Sequence, residues 1–150
     1  MKNIILIITL IMFSHCNGYE AVFKSQEVNF YIGQVNNINQ DRISNKIQRN
    51  LQPYTQNNNK EKIIIDLETN KNEKILSKDN KGEPVLIELE IITKVKIIFT
   101  NEEIEEITLI EKFSFNNQSN KFEFQQYKDN IENSLADKIF QNLLIKLRSI

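Results

Sequence analysis

From Pro84 to Thr100 the chain reads PVLIELEIITKVKIIFT, and this stretch constrains the fold more than any other. Val85, Ile87, Leu89, Ile91, Thr93, Val95, Ile97 and Phe99 fall on alternate positions, with Glu88, Glu90, Lys94 and Lys96 between them. Successive side chains of a strand point to opposite faces, so a two-residue period held this long describes a strand with one buried and one wet face. Ile104 to Phe115 alternates in the same way. A turn at Asn101, Glu102 and Glu103 would set Ile97 against Ile107, Val95 against Leu109, Ile91 against Phe113 and Leu89 against Phe115. One face of the resulting antiparallel hairpin is then almost wholly apolar, a condition that specifies register. Such a face needs a covering layer.

The remaining chain supplies one. Val28, Phe30 and Ile32 alternate as a short strand. From Asn39 the period lengthens, and Ile43, Ile47 and Leu51 form one stripe of a helix that Asn39 or Asp41 is placed to cap and Pro53 to end. Ile63, Ile65 and Leu67 return to the two-residue period, predicting a strand–helix–strand unit with parallel strands. A weak strand around Lys74 to Leu76 extends this edge, and Asp79-Asn80-Lys81-Gly82 reads as a turn. The last helix is expected from about Lys121 to Arg148, with Asn120 and Glu123 spaced as a capping box. Phe124, Tyr127, Ile131, Leu135, Ile139, Leu143 and Leu147 give it a long apolar stripe to lay on the hairpin. The predicted class is α+β: a two-layer sandwich of order β-α-β-β-β-α, two helices on one face of a small mixed sheet.

Composition excludes several functions. The formal net charge of −1 lacks the basic excess of a nucleic-acid binder. Among 150 residues there is one Cys and one His, so no internal disulfide can form. Both residues sit near the start, in MKNIILIITLIMFSHC, where Lys2 and the apolar run Ile4 to Phe13 have the character of a secretory leader. Cys16 directly after that run is positioned like the lipidated cysteine of a bacterial lipoprotein, although Phe13 and His15 replace the residues usual there. An ordinary signal peptide, or an uncleaved anchor with an incidental cysteine, is the other reading. Residues 1–15 are read as the signal peptide, 16–25 as a tether and 26–150 as a single α/β domain. Cleavage before Cys16 removes the only His and leaves Cys16 for acylation, so Ser-His-Asp and Cys-His catalysis and His/Cys metal sites are not expected. No catalytic residue, metal or cofactor is expected. Asp66 and Glu68 share a face, but nothing else converges on them to make a carboxylate hydrolase.

Several short stretches, in this order and spacing, resemble the lipopolysaccharide-assembly lipoprotein family LptE (RlpB). They are Cys16-Asn17-Gly18-Tyr19, Lys46-Ile47-Gln48-Arg49-Asn50-Leu51, Val85 to Thr100, and Leu135-Ala136-Asp137-Lys138-Ile139. The resemblance implies a lipid-anchored outer-membrane protein on the periplasmic side. It would act without catalysis, plugging an LptD-like β-barrel and helping to deliver lipopolysaccharide. A generic periplasmic adaptor with a protein or peptide partner is the alternative.

The wet face of the hairpin is the candidate contact surface. In the expected register Lys96 lies beside Thr108, Lys94 beside Ile110 and Ile92 beside Lys112, with Ile98 one step on. Lys94, Lys96, Lys112, Ile92, Ile98 and Ile110 thus mix ammonium groups with exposed apolar side chains, which suits a phosphorylated lipid or a barrel wall. Lysines on a wet strand face also serve solubility alone. Thr93 and Glu111 interrupt the apolar face opposite one another; the expectation is that the helices stop covering the hairpin there, the alternative that the hairpin tip projects into a partner. Glu102, Glu103, Glu105 and Glu106 read as a solvated turn.

Overall fold

The computed structural model of the chain describes residues 28–56 and 60–149. The leader, Cys16 and the tether lie outside the described residues. The elements follow the expected order: β1 (Phe30–Asn37), α1 (Arg42–Leu51), β2 (Glu61–Lys78), β3 (Pro84–Phe99), β4 (Ile104–Asn116) and α2 (Lys121–Leu147). The four strands make one sheet in the order β1-β2-β3-β4, with β1 parallel to β2 and the other neighbours antiparallel. This is the predicted mixed sheet.

Local chemistry accounts for the helix ends. Asp41 caps α1, its Oδ1 accepting from the backbone N–H groups of Ile43 and Ser44 at 2.8 Å each. Pro53 sits in the single 3₁₀ turn Gln52–Tyr54 that closes the helix. Asn120 caps α2 by accepting from Phe122 and Glu123. The weak strand expected at Lys74–Leu76 is the continuation of β2, which pairs with β3 almost throughout and shifts register only near Ser77.

The β3–β4 register differs from the expected one by two residues. Ile97 stands opposite Glu105, Val95 opposite Ile107, Thr93 opposite Leu109, Ile91 opposite Glu111 and Leu89 opposite Phe113. The cause is the turn, which occupies Thr100, Asn101 and Glu102 rather than Asn101, Glu102 and Glu103. Phe99 accepts from the N–H of Glu102 at 3.1 Å and donates to the carbonyl of Glu103 at 3.0 Å, while Glu102 takes φ +65°. This is the three-residue hairpin loop, a type I turn followed by one left-handed residue. The β2–β3 hairpin uses the same device with Gly82 at φ +84° in the left-handed position. A shift of two leaves every side chain on its expected face.

Both helices lie on the face formed by the odd positions of β3. Ile32, Ile63, Ile65, Leu67, Leu89, Ile91, Val95 and Ile97 of the sheet pack with Ile43, Ile47, Leu51, Ile131, Leu135, Ile139, Leu143 and Leu147 of the helices in one core. The helices run side by side in the same direction: Arg42 pairs with Asp129 (2.9 Å) and, further along both helices, Lys46 with Asp137 (2.7 Å). Phe115 packs against Phe124 and Tyr127 near the start of α2.

The expectation that the helices leave Thr93 and Glu111 uncovered is overturned. Thr93 is 0% and Glu111 9% exposed. Glu111 is tolerated because α2 brings it partners: Asn142 Nδ2 donates at 2.8 Å and Lys138 Nζ lies at 2.6 Å. Thr93 faces Thr69 on β2, and Thr69 donates its hydroxyl proton to Asp41. The Thr93 hydroxyl has no hydrogen-bond partner among the described residues.

Candidate functional site

With the odd face sealed, the even positions form the open face, and the strand registers arrange it in cross-strand rows. Ile64, Ile98 and Ile104 make an apolar row. Asp66, Lys96 and Glu106 make the next, then Glu68, Lys94 and Thr108. A second apolar pair, Ile92 and Ile110, stands beside Asn70, and below it come Asn72, Glu90 and Lys112, then Lys74, Glu88 and Ser114. Ile104 and Ile110 are 55% and 52% exposed.

All six predicted contact residues are on this one face, but their neighbours are not the expected ones. Lys96 lies beside Glu106 rather than Thr108, Lys94 beside Thr108 rather than Ile110, and Ile92 beside Ile110 rather than Lys112. The two-residue shift of the turn is again the reason. Its chemical consequence is large: Glu106 comes beside Lys96 and Glu90 beside Lys112, while β2 adds Asp66 and Glu68. Lys96 sits between Asp66 and Glu106, Lys94 has Glu68 across from it, and Lys112 Nζ contacts Glu90 Oε1 at 2.5 Å. That contact, with a further bond from Asn72, holds the Glu90 carboxyl below its ordinary pKa, and the Glu90 hydrogen bond raises the Lys112 ammonium above its own. Asp66 also accepts from Asn36 at 2.7 Å, tying the charged row to β1. Within these rows five carboxylates (Asp66, Glu68, Glu88, Glu90, Glu106) meet four ammonium groups (Lys74, Lys94, Lys96, Lys112). The face is a charge-balanced mosaic crossed by isoleucine rows, and carries no positive patch.

Sequence reasoning missed the acidic members. Glu88 and Glu90 were visible on the wet side of β3, but Asp66, Glu68 and Glu106 enter only through strand pairing. One polar hollow of about 530 Å³, lined by Phe99, Asn101, Glu103 and Ile104 among others, touches the end of this face, and two further clefts lie elsewhere. An apolar cleft of about 240 Å³ is lined by Phe113, Tyr127, Asn130, Ile131, Ser134 and Leu135, between β4 and α2. A polar one of about 420 Å³ is lined by Asn36, Asn37, Gln40, Asn45 and Gln48, among others. Among the described residues no helix is long and apolar enough to cross a membrane.

Several solved structures of bacterial lipoproteins have a similar fold. The solved structures that share it include a minor lipoprotein from Acinetobacter baumannii, with a TM-score of 0.61 at 13% identity over 83% of this chain and 94% of that one. Lipoprotein B from Nitrosomonas europaea matches with a TM-score of 0.58 at 13% identity, over 82% and 87% of the two chains. Rare lipoprotein B from Shewanella oneidensis matches with a TM-score of 0.53 at 10% identity, over 75% and 95%. The fold is therefore the one that the resemblance to LptE (RlpB) implied. No protein-family model and no curated protein sequence matches the chain.

Proposed function

We propose that this chain is a lipid-anchored, non-enzymatic protein of the outer membrane that faces the periplasm. It assembles with an LptD-like β-barrel, plugs it and assists the passage of lipopolysaccharide. The observation that carries this reading is the shared two-layer fold, which joins most of the chain to rare lipoprotein B and two further lipoproteins. The position of Cys16 behind an apolar leader supports the anchor. Three acyl chains on such a cysteine hold a protein to a bilayer stably, where one would be marginal.

The open face supports contact with a polypeptide wall more than with a phosphorylated headgroup. Lys94, Lys96 and Lys112 are neighboured by carboxylates, so an incoming phosphate meets repulsion along with attraction. A protein surface can supply complementary charges row by row and apolar contacts for Ile92, Ile98 and Ile110.

The test is to tag the C-terminus, solubilise outer membranes in mild detergent and identify by mass spectrometry what is recovered with the chain. A near-stoichiometric barrel together with a triacylated Cys16 peptide is the expected result. Recovery of the chain alone from a soluble periplasmic fraction, with Cys16 unmodified, overturns the proposal.

A further inference from the structure

The sheet has two edges, and they are built differently. At β1 the register shifts between Ile32 and Gln34, the Gln48 side chain donates to the Val35 carbonyl at 3.4 Å, and Lys60 donates to the Val28 carbonyl at 2.5 Å. A bulge and side chains that occupy main-chain groups are ways of blunting an edge. At β4 none of this is present. The strand pairs with β3 without a register break from Ile104 to Asn116, and contains no proline.

The hydrogen bonds at its two ends, Phe99 N–H to Glu103 and Asn117 N–H to Val85, fix which groups face outward. Odd residues of β4 bond to β3, so the N–H and C=O groups of Ile104, Glu106, Thr108, Ile110, Lys112 and Ser114 point away from the sheet. Among the described residues no side chain takes them up. Ile104, Ile110 and Phe113, at 55%, 52% and 44% exposure, flank this row of open groups. A long edge without a register break and with its main-chain groups open is a template for another strand, and its charged side chains select which strand.

We propose that β4 pairs antiparallel with β4 of a second copy about a two-fold axis at Leu109, joining two four-stranded sheets into one. Such pairing must match outward-pointing residues with each other, which leaves few registers. An axis at Ile107 sets Glu103 opposite Glu111, an axis at Thr108 sets Glu105 opposite Glu111, and an axis at Glu111 sets that residue against itself. Like charges directly opposite destabilise a strand pair. An axis at Ile110 avoids them but pairs Glu106 with Ser114. Only the axis at Leu109 sets Glu106 opposite Lys112, and by symmetry it does so twice. The occupant is thus specified by charge complementarity within β4 itself. Self-pairing uses the β4 edge and the proposed barrel contact the open face, so either proposal can fail alone.

The test is sedimentation velocity of the full chain, isolated in density-matched mild detergent, across a wide concentration range. A monomer–dimer equilibrium is expected. Glu106→Lys and Lys112→Glu should each weaken it roughly ten- to a hundredfold. An equimolar mixture of the two variants should recover the native affinity, since the introduced lysine of one copy meets the introduced glutamate of the other while the second native pair survives. Thr108→Pro, which removes an N–H that β3 does not use, should leave a folded monomer by circular dichroism. A native chain that is monomeric throughout overturns the proposal, as does a dimer that Thr108→Pro leaves intact. Failure of the mixture to recover overturns the register.

Discussion

Thr69 and Thr93 face each other across β2 and β3, both buried at 2% exposure or less, and the same substitution at the two positions should act with opposite sign. The Thr93 hydroxyl has no partner among the described residues, and a buried hydroxyl left unpaired costs about 1–3 kcal/mol. Thr93→Val keeps the β-branched shape and removes that cost. Allowing for the slightly larger methyl in a close-packed layer, a gain of about 1 kcal/mol is expected. Thr69 instead donates to the Asp41 carboxylate, which also caps α1 through Ile43 and Ser44. A hydrogen bond to a charged group contributes about 1.5–3 kcal/mol, so Thr69→Val should destabilise by about 2 kcal/mol. The assay is urea unfolding followed by far-ultraviolet circular dichroism, comparing midpoints at unchanged slope. The variants should bracket the native midpoint and differ from each other by about 3 kcal/mol. If Thr93→Val destabilises as much as Thr69→Val, the Thr93 hydroxyl is satisfied in solution and the reasoning fails.

The two hairpin loops make a second pair of opposites. Gly82→Ala should cost about 1–2 kcal/mol at φ +84°, although an added Cβ there meets nothing within 4 Å. Glu102→Gly should stabilise by about 1 kcal/mol by relieving φ +65°; equal unfolding midpoints for both variants and the native chain would refute the turn assignment. The pH dependence follows from Glu90, held below its ordinary value of 4.5 mainly by the Lys112 hydrogen bond, and Asp129, held below 3.8 mainly by Arg42. A depressed carboxylate stabilises the fold fully above its unfolded pKa and loses that contribution as pH falls through the folded value. Lys112 is raised above 10.5, so its contribution is full below that value and lost as pH rises through the folded one. Stability from the Glu90–Lys112 pair should therefore be level from about pH 5 to 10, and Glu90→Gln should flatten the acid limb of a urea-midpoint profile. Parallel acid limbs in variant and native chain would show that the pair contributes nothing.

Alternation in Pro84–Thr100 carries parity, and parity was enough to assign every side chain of the hairpin to the correct face. Register is a different quantity, set by one turn. Gly82 marks the left-handed position of the first loop openly, whereas in the second that position belongs to Glu102, a residue with no preference for it, one place after the more eligible Asn101. Placing that turn one residue too late shifts the register by two. Caps were legible because they are local: Asp41 and Asn120 each bond within three residues. Glu111 was not, because its partners Lys138 and Asn142 arrive from a helix 27 and 31 positions further along. Thr93 and Thr69 likewise depend on a β2–β3 register that no residue near either of them specifies. The far half of β2, Lys71–Lys78, is exposed on both faces and so shows no alternation; pairing with β3 keeps it extended.

The open face can be weighed by what it would need to be merely wet. A solvated strand face tolerates scattered isoleucines, but here they fall in line: Ile64, Ile98 and Ile104 in one row, Ile92 and Ile110 in another. Six residues separate Ile98 from Ile92 along β3, placing the two rows about 20 Å apart at the rise of an extended strand. Two charged rows lie between them, and in each the signs alternate or are neutralised across the strands. A uniformly anionic surface laid over this band would face Asp66, Glu68 and Glu106 as directly as Lys94 and Lys96, and gain little. A folded protein wall can place apolar groups at both isoleucine rows and opposite charges between them. The spacing of the rows, more than the lysines, is what favours the proposed polypeptide partner for this face.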